Sequence, residues 1–231
     1  MTEKHSGLVL IASGRTADVF ALDAERVLRR YHEPHDLSVE VALMAHARNH
    51  GYPVPLVYEA TATDLVMERV YGPEMQADLH SGTLVSHAQL LAELHLRLAA
   101  VPALPGARDR FGGGPVLFHG DLHPRNVILG ADGPVVIDWP NAGSGPIGAE
   151  VARTWTVMGT WRPEDGQPMA EDERVGGEIF LKAFLDAVGR EVARPFIREA
   201  CRQRAADRTT RDEEQVAIRE FAEREGRGIA G

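Results

Sequence analysis

The first third of the chain alternates short apolar runs with polar turns, a pattern typical of β-strands. Apolar runs at 8–11 and 19–22 flank a small polar stretch, which predicts a hairpin. Three more runs predict strands at 27–31, 56–59 and 65–70. Apolar residues at helical spacing predict one helix over 36–50, which ends before Gly51. This part of the chain therefore predicts a five-stranded antiparallel sheet with one helix.

Beyond residue 73 the apolar residues change to helical spacing. Leu90, Leu91, Leu94 and Leu98 form a stripe that predicts a helix over 86–100. Short apolar runs at 116–118, 127–129 and 135–137 predict strands, and further helices are predicted at 150–160, 174–188, 191–206 and 213–225. We therefore expect an α+β fold of two lobes, residues 1–70 and 71–231, with a functional cleft between them.

Charge and cysteine content narrow the classes of partner. The chain has 34 acidic and 25 basic residues and a formal net charge of -9, so nucleic acid would be repelled and a cationic or neutral partner is expected. Cys201 is the single cysteine, which excludes an internal disulfide and a multi-cysteine zinc site. The polar N-terminus and the absence of a long apolar run predict a cytoplasmic protein without a membrane partner.

The densest group of polar residues runs from His119 to Asn126, and Asp138 follows after a short predicted hairpin. Phosphoryl transfer needs a carboxylate that accepts the proton of the substrate hydroxyl, and oxygen ligands that hold Mg²⁺ against the phosphates. Asp121, Asn126 and Asp138 supply such a set. An aspartate, four residues and an asparagine, with another aspartate after the next hairpin, is the arrangement of a kinase catalytic loop.

The motifs His-Gly-Asp at 119–121 and Ile-Asp-Trp at 137–139 resemble those of aminoglycoside phosphotransferases and their choline and homoserine kinase relatives. The resemblance spans roughly residues 8–155 and implies a bilobal protein-kinase-like fold. It also implies transfer of the γ-phosphoryl group of ATP or GTP, with Mg²⁺, to a hydroxyl of an aminoglycoside-like antibiotic or another small alcohol. In such a site Asp121 is the catalytic base, Asn126 and Asp138 hold the metal, and His119 braces the loop.

The same resemblance places the nucleotide in the N-terminal lobe. The residues implied to bind it are Ser13, Gly14, Arg15, Thr16, Arg29, Glu40, Met67, Glu68 and Val70. The turn around Gly14 would cover the phosphates, Met67 would lie behind the base, and backbone groups of Glu68 and Val70 would bind the purine edge. Met67 is equally consistent with an ordinary core residue. Arg29, paired with Glu40, stands where the family has a lysine, and it keeps the charge but not the geometry.

Two features of the segment after Asp138 bear on activity and substrate. The segment 145–150 lacks the aspartate that the family carries ahead of its helix, so the sequence leaves open what braces the catalytic loop. Only residues 139–149 separate Asp138 from the next predicted helix. Protein kinases dock peptide substrates on a longer segment, which disfavours a protein substrate.

Other interpretations of these residues stay open. Arg29, the single glycine of the hairpin turn and the altered 145–150 segment suit a silent nucleotide-binding pseudokinase that acts as a scaffold or sensor, although the intact catalytic set argues against it. His119, Asp121 and His123 could instead form a hydrolase metal site. One acidic cluster is either a solvated loop or an attractant for a polycation: Glu164, Asp165, Glu171, Asp172, Glu173 and Glu178.

Overall fold

An antiparallel sheet with one helix forms the N-terminal region of the protein, and a mainly helical part follows it. The computed structural model describes residues 8–163, 167, 169–207 and 210–226. Two residues of the predicted acidic cluster, Glu164 and Asp165, lie outside these ranges.

The N-terminal region confirms the predicted strands and helix. Its elements are β1 Val9–Ser13, β2 Ala17–Ala21, β3 Arg26–Tyr31, α1 Ser38–Asn49, β4 Val57–Ala60 and β5 Asp64–Glu68. The sheet has five strands in the order β1-β2-β3-β5-β4, and every neighbouring pair is antiparallel. The first hairpin is tighter than predicted, because β1 continues to Ser13 and β2 begins at Ala17, which leaves only residues 14–16 between the strands.

Strand β3 lies in the middle of the sheet, where Arg29 stands opposite Val19 on β2 and Leu65 on β5. Since side chains alternate along a strand, Arg29 and Tyr31 project from the same face. Helix α1 covers that face, since Glu40 in its first turn accepts a hydrogen bond from the Tyr31 hydroxyl at 2.8 Å. The packing buries Arg29 to 8% exposure, so the position is fixed by the fold around it.

The C-terminal part contains short strand pairs among packed helices. Its elements are α2 Leu84–Ala99, β6 Val116–Phe118, β7 Val127–Gly130, β8 Gly133–Val136, β9 Gly143–Gly145, α3 Ile147–Thr160, α4 Glu171–Val188, α5 Arg190–Ala193, α6 Ile197–Ala206 and α7 Asp212–Glu225. The predicted leucine stripe of α2 is confirmed, because Leu91, Leu94 and Leu98 are fully buried where α2 packs on α4. Within the described ranges, no helix combines the length and apolar character that a membrane crossing requires.

Two predictions about these elements were wrong, and one strand was missed. The single helix over 191–206 is broken into α5, a 3₁₀ turn at Arg194–Phe196 and α6, because Pro195 lacks the N–H that a continuous helix needs. Helix α4 begins earlier than predicted, at Glu171, since acidic residues stabilise the first turn of a helix. Strand β9, which pairs with β6, was not predicted because two of its three residues are glycine.

The chain crosses from the sheet to the helical part beside β7. Gly72 has φ of 154°, and a Cβ atom there would lie 2.1 Å from the Leu129 carbonyl oxygen, so a side chain is excluded. The Leu129 N–H donates to the Pro73 carbonyl at 2.9 Å, and the Met75 N–H donates to the Val127 carbonyl at 2.8 Å. The segment that joins the two parts of the chain is therefore bonded to β7, the strand that begins directly after Asn126. A lobe boundary near residue 70 stays a prediction.

Candidate active site

The predicted catalytic residues Asp121 and Asn126 lie together in the loop between β6 and β7. A 3₁₀ turn at Pro124–Asn126 returns the chain toward Asp121. The Asn126 amide donates through Nδ2 to the Asp121 backbone carbonyl at 2.8 Å and lies 3.4 Å from its Oδ2. This contact holds the loop closed and leaves the Asn126 Oδ1 oxygen without a donor among the described residues.

The Asp121 carboxylate is ionised at neutral pH. Burial acts to raise its pKa, but His123, 3.5 Å away, and the Arg153 guanidinium outweigh it and hold the pKa well below its ordinary value. The side chain is 25% exposed, so a substrate hydroxyl can reach it. Asp121 therefore offers a fixed, charged acceptor for a hydroxyl proton.

His119 joins the catalytic loop to the chain just before Asp138. Its ring donates through Nε2 to the Ile137 carbonyl at 3.1 Å, and its Nδ1 accepts from the Asp121 N–H at 3.2 Å. One donor and one acceptor make the ring neutral, and burial lowers its pKa to about 4. The ring packs edge-on against Trp139, with centroids 4.7 Å apart. With both nitrogens occupied, His119 has none left for a metal.

Glu150, in the first turn of α3, supplies the brace that the sequence left open. Its Oε2 accepts from the backbone N–H groups of His119 at 2.7 Å and Gly120 at 2.9 Å. Gly120 has φ of 82°, and a Cβ atom there would lie 2.9 Å from the Asn141 carbonyl oxygen, so the turn requires glycine. Burial raises the pKa of Glu150 to about 7, although the N–H bonds favour its ionised form. The two backbone N–H bonds thus partly offset the cost of burying the charged carboxylate.

Two further residues of α3 hold the same loop. Arg153 donates through Nε to the Gly120 carbonyl at 2.9 Å, and Thr154 donates to the Leu122 carbonyl at 2.7 Å. Behind them the buried His95 ring of α2 bonds Thr154 at 2.9 Å. The loop is therefore positioned by α3 through consecutive residues on either side of Asp121.

Asp138 lies directly after the β7–β8 hairpin with its backbone in the left-handed region, at φ of 70°. That conformation costs energy in a non-glycine residue, although aspartate tolerates it better than most, and it turns the side chain toward Arg29. Its Oδ1 accepts from Arg29 Nη2 at 2.6 Å. No described residue donates to its Oδ2. The free oxygens of Asp138 and Asn126 are the hard ligands that Mg²⁺ prefers, so these residues fit the metal.

Arg29 connects the sheet to Asp138 and to α1. Its Nη1 lies 3.8 Å from Glu40 Oε1, a buried oxygen without a hydrogen-bond partner, and its guanidinium lies over the Tyr31 ring at 4.8 Å. Burial acts to lower the pKa of Arg29, but the surrounding negative charges, Asp138 first, raise it overall. Burial likewise raises the pKa of Glu40, and Arg29 opposes that shift. The predicted Arg29–Glu40 pairing is loose, and the tight contact is with Asp138.

Comparison with known families agrees with this geometry. Residues 61–199, more than half of the chain, match the model of the phosphotransferase enzyme family, APH. The chain belongs to this family. Among curated proteins it is 29% identical over 108 residues to the probable serine/threonine-protein kinase BUD32 homolog of Archaeoglobus fulgidus. That alignment spans 47% of this chain and 43% of the relative, less than half of either.

Solved structures with the same fold include both antibiotic and alcohol kinases. The aminoglycoside phosphotransferase APH(4)-Ia superposes with a TM-score of 0.66 at 16% identity, covering 98% of this chain and 95% of its own. Choline kinase from Cryptosporidium parvum gives 0.62 at 12% identity, covering 99% and 91%. The streptomycin-ATP ternary complex of APH(2")-IIa gives 0.57 at 14% identity, covering 87% and 84%. At these identities the likeness establishes the kinase-like fold alone.

In this family member, the predicted phosphate-covering turn bonds mainly within its own hairpin. The Ser13 hydroxyl donates to Asp18 at 2.6 Å, and the Gly14 N–H donates to the Ala17 carbonyl at 2.9 Å. Arg15 and Thr16 are exposed at the tip. None of the contacts described for Ser13, Gly14 and Thr16 reaches Asp121 or Asp138. Their role with a nucleotide stays a prediction.

The predicted purine-binding segment follows β5. Met67 is 9% exposed and stands between Val27 and Val57 in the sheet. The Glu68 N–H donates to the Leu56 carbonyl at 2.8 Å and is therefore occupied, whereas the Val70 N–H has no acceptor among the described residues. Of the two backbone N–H groups, only that of Val70 is open to a base.

Several residues of the site, besides the brace Glu150 and its neighbour Thr154, were missed from the sequence. Tyr31 stands two positions after Arg29 on the same strand face, and that alternation was the available signal. Arg153 lies three residues after Glu150, one turn along the same helix side. His95 gave no signal, because its bond to Thr154 joins distant parts of the chain.

The hydrolase alternative is not supported by the geometry. Within the described ranges, no group of three or more histidine, cysteine, aspartate and glutamate side chains is arranged to hold a metal ion. His119, which that alternative needs as a ligand, uses both ring nitrogens in the loop. The His-x-Asp-x-His spacing therefore reflects the packing of the catalytic loop.

Proposed function

We propose that the protein is a small-molecule kinase that transfers the γ-phosphoryl group of ATP or GTP to a hydroxyl group. The observation that carries the proposal is that Asn126 contacts Asp121, while Ile137, the residue before Asp138, donates its N–H to the Asn126 carbonyl at 3.0 Å. Asp138 in turn is bonded to the buried Arg29. Residues 1–70 bind the nucleotide, and residues 71–231 hold the catalytic loop and the acceptor. The family membership and the kinase-like fold support this assignment.

In the proposed reaction, Asp121 binds the acceptor hydroxyl and takes its proton as the new O–P bond forms. The bond between the γ-phosphorus and the oxygen of the leaving diphosphate breaks in line with the attack. Asn126 and Asp138 would hold Mg²⁺, which supplies charge neutralisation at the phosphates. Arg29 contacts the phosphates with its fork of N–H donors. Glu150 and His119 keep Asp121 in position during transfer.

The tight Arg29–Asp138 contact also favours a second candidate, a silent nucleotide-binding scaffold. A guanidinium at 2.6 Å occupies Oδ1 of Asp138 and leaves only Oδ2 for the metal, and a lysine at this position could leave Oδ1 more easily. Nucleotide would then bind without transfer. The intact Asp121 and Asn126 weigh against this candidate, because a silent scaffold needs no base.

Thermal unfolding with ATP and with GTP, each with and without Mg²⁺, tests the nucleotide site without knowledge of the acceptor. At about a hundred times the dissociation constant, the nucleotide should stabilise the protein by about 2.7 kcal/mol, or roughly 5 to 10 °C. The shift should need Mg²⁺ and vanish in Asp138→Asn. Asp186→Asn is the control, since Asp186 is an exposed residue of α4 paired with Lys182. No shift with either nucleotide in the parent would contradict the proposal.

A further inference from the structure

Arginine side chains gather along α3 next to the catalytic loop. Arg153 uses its Nε to bond the Gly120 carbonyl, and no described residue bonds its two terminal nitrogens. About two turns further along the helix, Arg204 of α6 donates to Thr160 at 2.9 Å and to Glu214 at 3.0 Å. The charges of Arg153 and Arg204 both act on Asp121, so these guanidinium groups form a row beside it.

Arg125 extends this row from the catalytic loop itself. It is four residues after Asp121, and its guanidinium lies over the ring of Trp161, 5.3 Å from the centroid, just beyond the end of α3. The side chain is exposed, and no described acidic residue lies within ion-pair distance. Arg153 thus keeps N–H donors open beside Asp121, and Arg125 keeps its own open four residues further along the same loop.

The arginines of this row disfavour one another. Burial lowers the pKa of Arg204; the carboxylates of Glu214 and Asp121 oppose that shift, and the charge of Arg153 adds to it. Burial likewise lowers the pKa of Arg110 to about 10, with Arg108 and Arg153 adding to the shift, and its buried Nε has no hydrogen-bond partner. A chain with a net charge of -9 has many other places for basic residues. Concentrated like charge at a cleft is typical of a site that binds the opposite charge.

The acidic groups near the row are already engaged. Glu214 bonds Arg204 and the Arg211 N–H. Glu150 is occupied by the backbone of the catalytic loop. In the proposed reaction, Asp121 binds the hydroxyl group of the acceptor. The charge of Arg153 acts on Asp121 and Glu150, but among the described contacts none of these three carboxylates accepts a hydrogen bond from the Arg153 terminal nitrogens or from Arg125.

We infer that the acceptor carries an anionic group, a carboxylate or a phosphate, which Arg153 and Arg125 bind while Asp121 binds its hydroxyl. The inference rests on the proposed phosphotransferase function and names its substrate class. A polycationic acceptor would be repelled by this row. The acidic residues that could attract a polycation are partly neutralised, since Glu171 and Glu178 on the exposed face of α4 both pair with Arg174.

Binding of inorganic phosphate, measured by calorimetric titration of the full chain without nucleotide, tests the anion site. Removing Arg153 with Arg153→Gln should weaken phosphate binding about tenfold to a hundredfold, as expected for one charge-assisted contact. Arg153→Lys should restore most of it, although lysine cannot reproduce the Nε bond to Gly120, which separates charge from loop support. Arg174→Gln on α4 is the control and should bind phosphate like the parent.

Phosphate could also bind at the nucleotide-phosphate position, and Arg29→Gln distinguishes the two sites. Binding that persists in Arg29→Gln and falls in Arg153→Gln supports the anionic acceptor. Absence of binding, or binding lost only in Arg29→Gln, overturns it. The nucleotide-dependent thermal shift is measured separately, so a failure of phosphate binding with an intact shift removes the acceptor class and leaves the kinase proposal standing.

Transfer assays complete the test with matched alcohols. With Mg-ATP, glyceric acid and glycerol 3-phosphate should be phosphorylated in preference to glycerol and choline. For those acids, KM should rise about tenfold or more in Arg125→Gln and Arg153→Gln. A preference for choline or a polycationic acceptor would overturn the inference even if phosphate binds.

Discussion

Replacing Glu150 by glutamine separates the stability of this protein from its catalytic geometry. Glu150 is 1% exposed and accepts the N–H groups of His119 and Gly120. Its pKa, raised by burial from an ordinary 4.5 to about 7, corresponds to about 3 kcal/mol against the ionised form in the folded state. Below pH 4.5 the carboxyl is protonated in the folded and the unfolded state, and the protein carries no penalty. As pH rises through 7, the carboxyl ionises in the folded state and about 3 kcal/mol of stability is lost.

Glutamine removes that penalty and keeps one acceptor oxygen. Its NH₂ group must then face the Gly120 N–H, which costs about 1 to 3 kcal/mol. At pH 8 the two effects largely cancel, so Glu150→Gln should unfold at the same temperature as the parent or slightly higher. Glu150→Ala removes the same penalty but leaves both N–H groups buried without an acceptor, which costs about 2 to 6 kcal/mol, so its Tm at pH 8 should lie below that of Glu150→Gln.

Although Glu150→Gln should keep the parental Tm, it should lose catalytic activity. Glu150→Gln loosens the loop that carries Asp121, so kcat should fall about tenfold or more while the nucleotide-dependent thermal shift is unchanged. The assay pairs Tm at pH 5 and pH 8 with phosphotransfer rates for the parent and both variants. A glutamine variant with parental kcat and a clearly lower Tm at pH 8 would show that Glu150 serves stability alone and refute this reasoning.

Three further predictions concern other residues of the same region. Asp121→Asn should abolish phosphotransfer and keep the nucleotide-dependent thermal shift; undiminished turnover would refute the assignment of the base. Arg29→Lys should retain or increase transfer measured by nucleotide consumption, and transfer that appears only in the variant would favour the silent scaffold. Burial lowers the pKa of His95 to about 4, so the folded state resists protonation of this ring. About 3 kcal/mol of folding stability is therefore present above pH 6.5 and is lost as pH falls through 4. In urea unfolding, His95→Gln should show a weaker loss of stability between pH 6.5 and 4, and an identical slope would contradict this.

The parts of the fold predicted from the sequence are those determined by local patterns. Strands with apolar runs and the leucine stripe of α2 were found because neighbouring residues carry the signal. Strand β9 and the break at Pro195 were missed for different reasons. The glycines of β9 form a strand only because β6 lies beside them, and the helical pattern over 191–206 concealed the effect of the proline.

The same division applies to the site. Asp121, Asn126 and Asp138 were predicted because their spacing along the chain is diagnostic, and the structure brings the first two into contact. The brace could not be predicted, because Glu150 lies 31 positions after His119 in the sequence. The Arg29–Asp138 contact spans 109 positions in the sequence, so its length and strength follow only from the assembled fold.

Several groups in the candidate site destabilise the folded protein. Glu150 is held ionisable in the interior, Asp138 has a left-handed backbone, and Glu40 buries an oxygen without a hydrogen bond. Each feature costs stability, and alternatives such as glutamine or glycine would relieve it. Glu150 lies against the Asp121 loop, and Asp138 and Glu40 both lie beside Arg29, so packing elsewhere must compensate for the lost stability. Features that cost folding stability and lie close together are typical of a functional site.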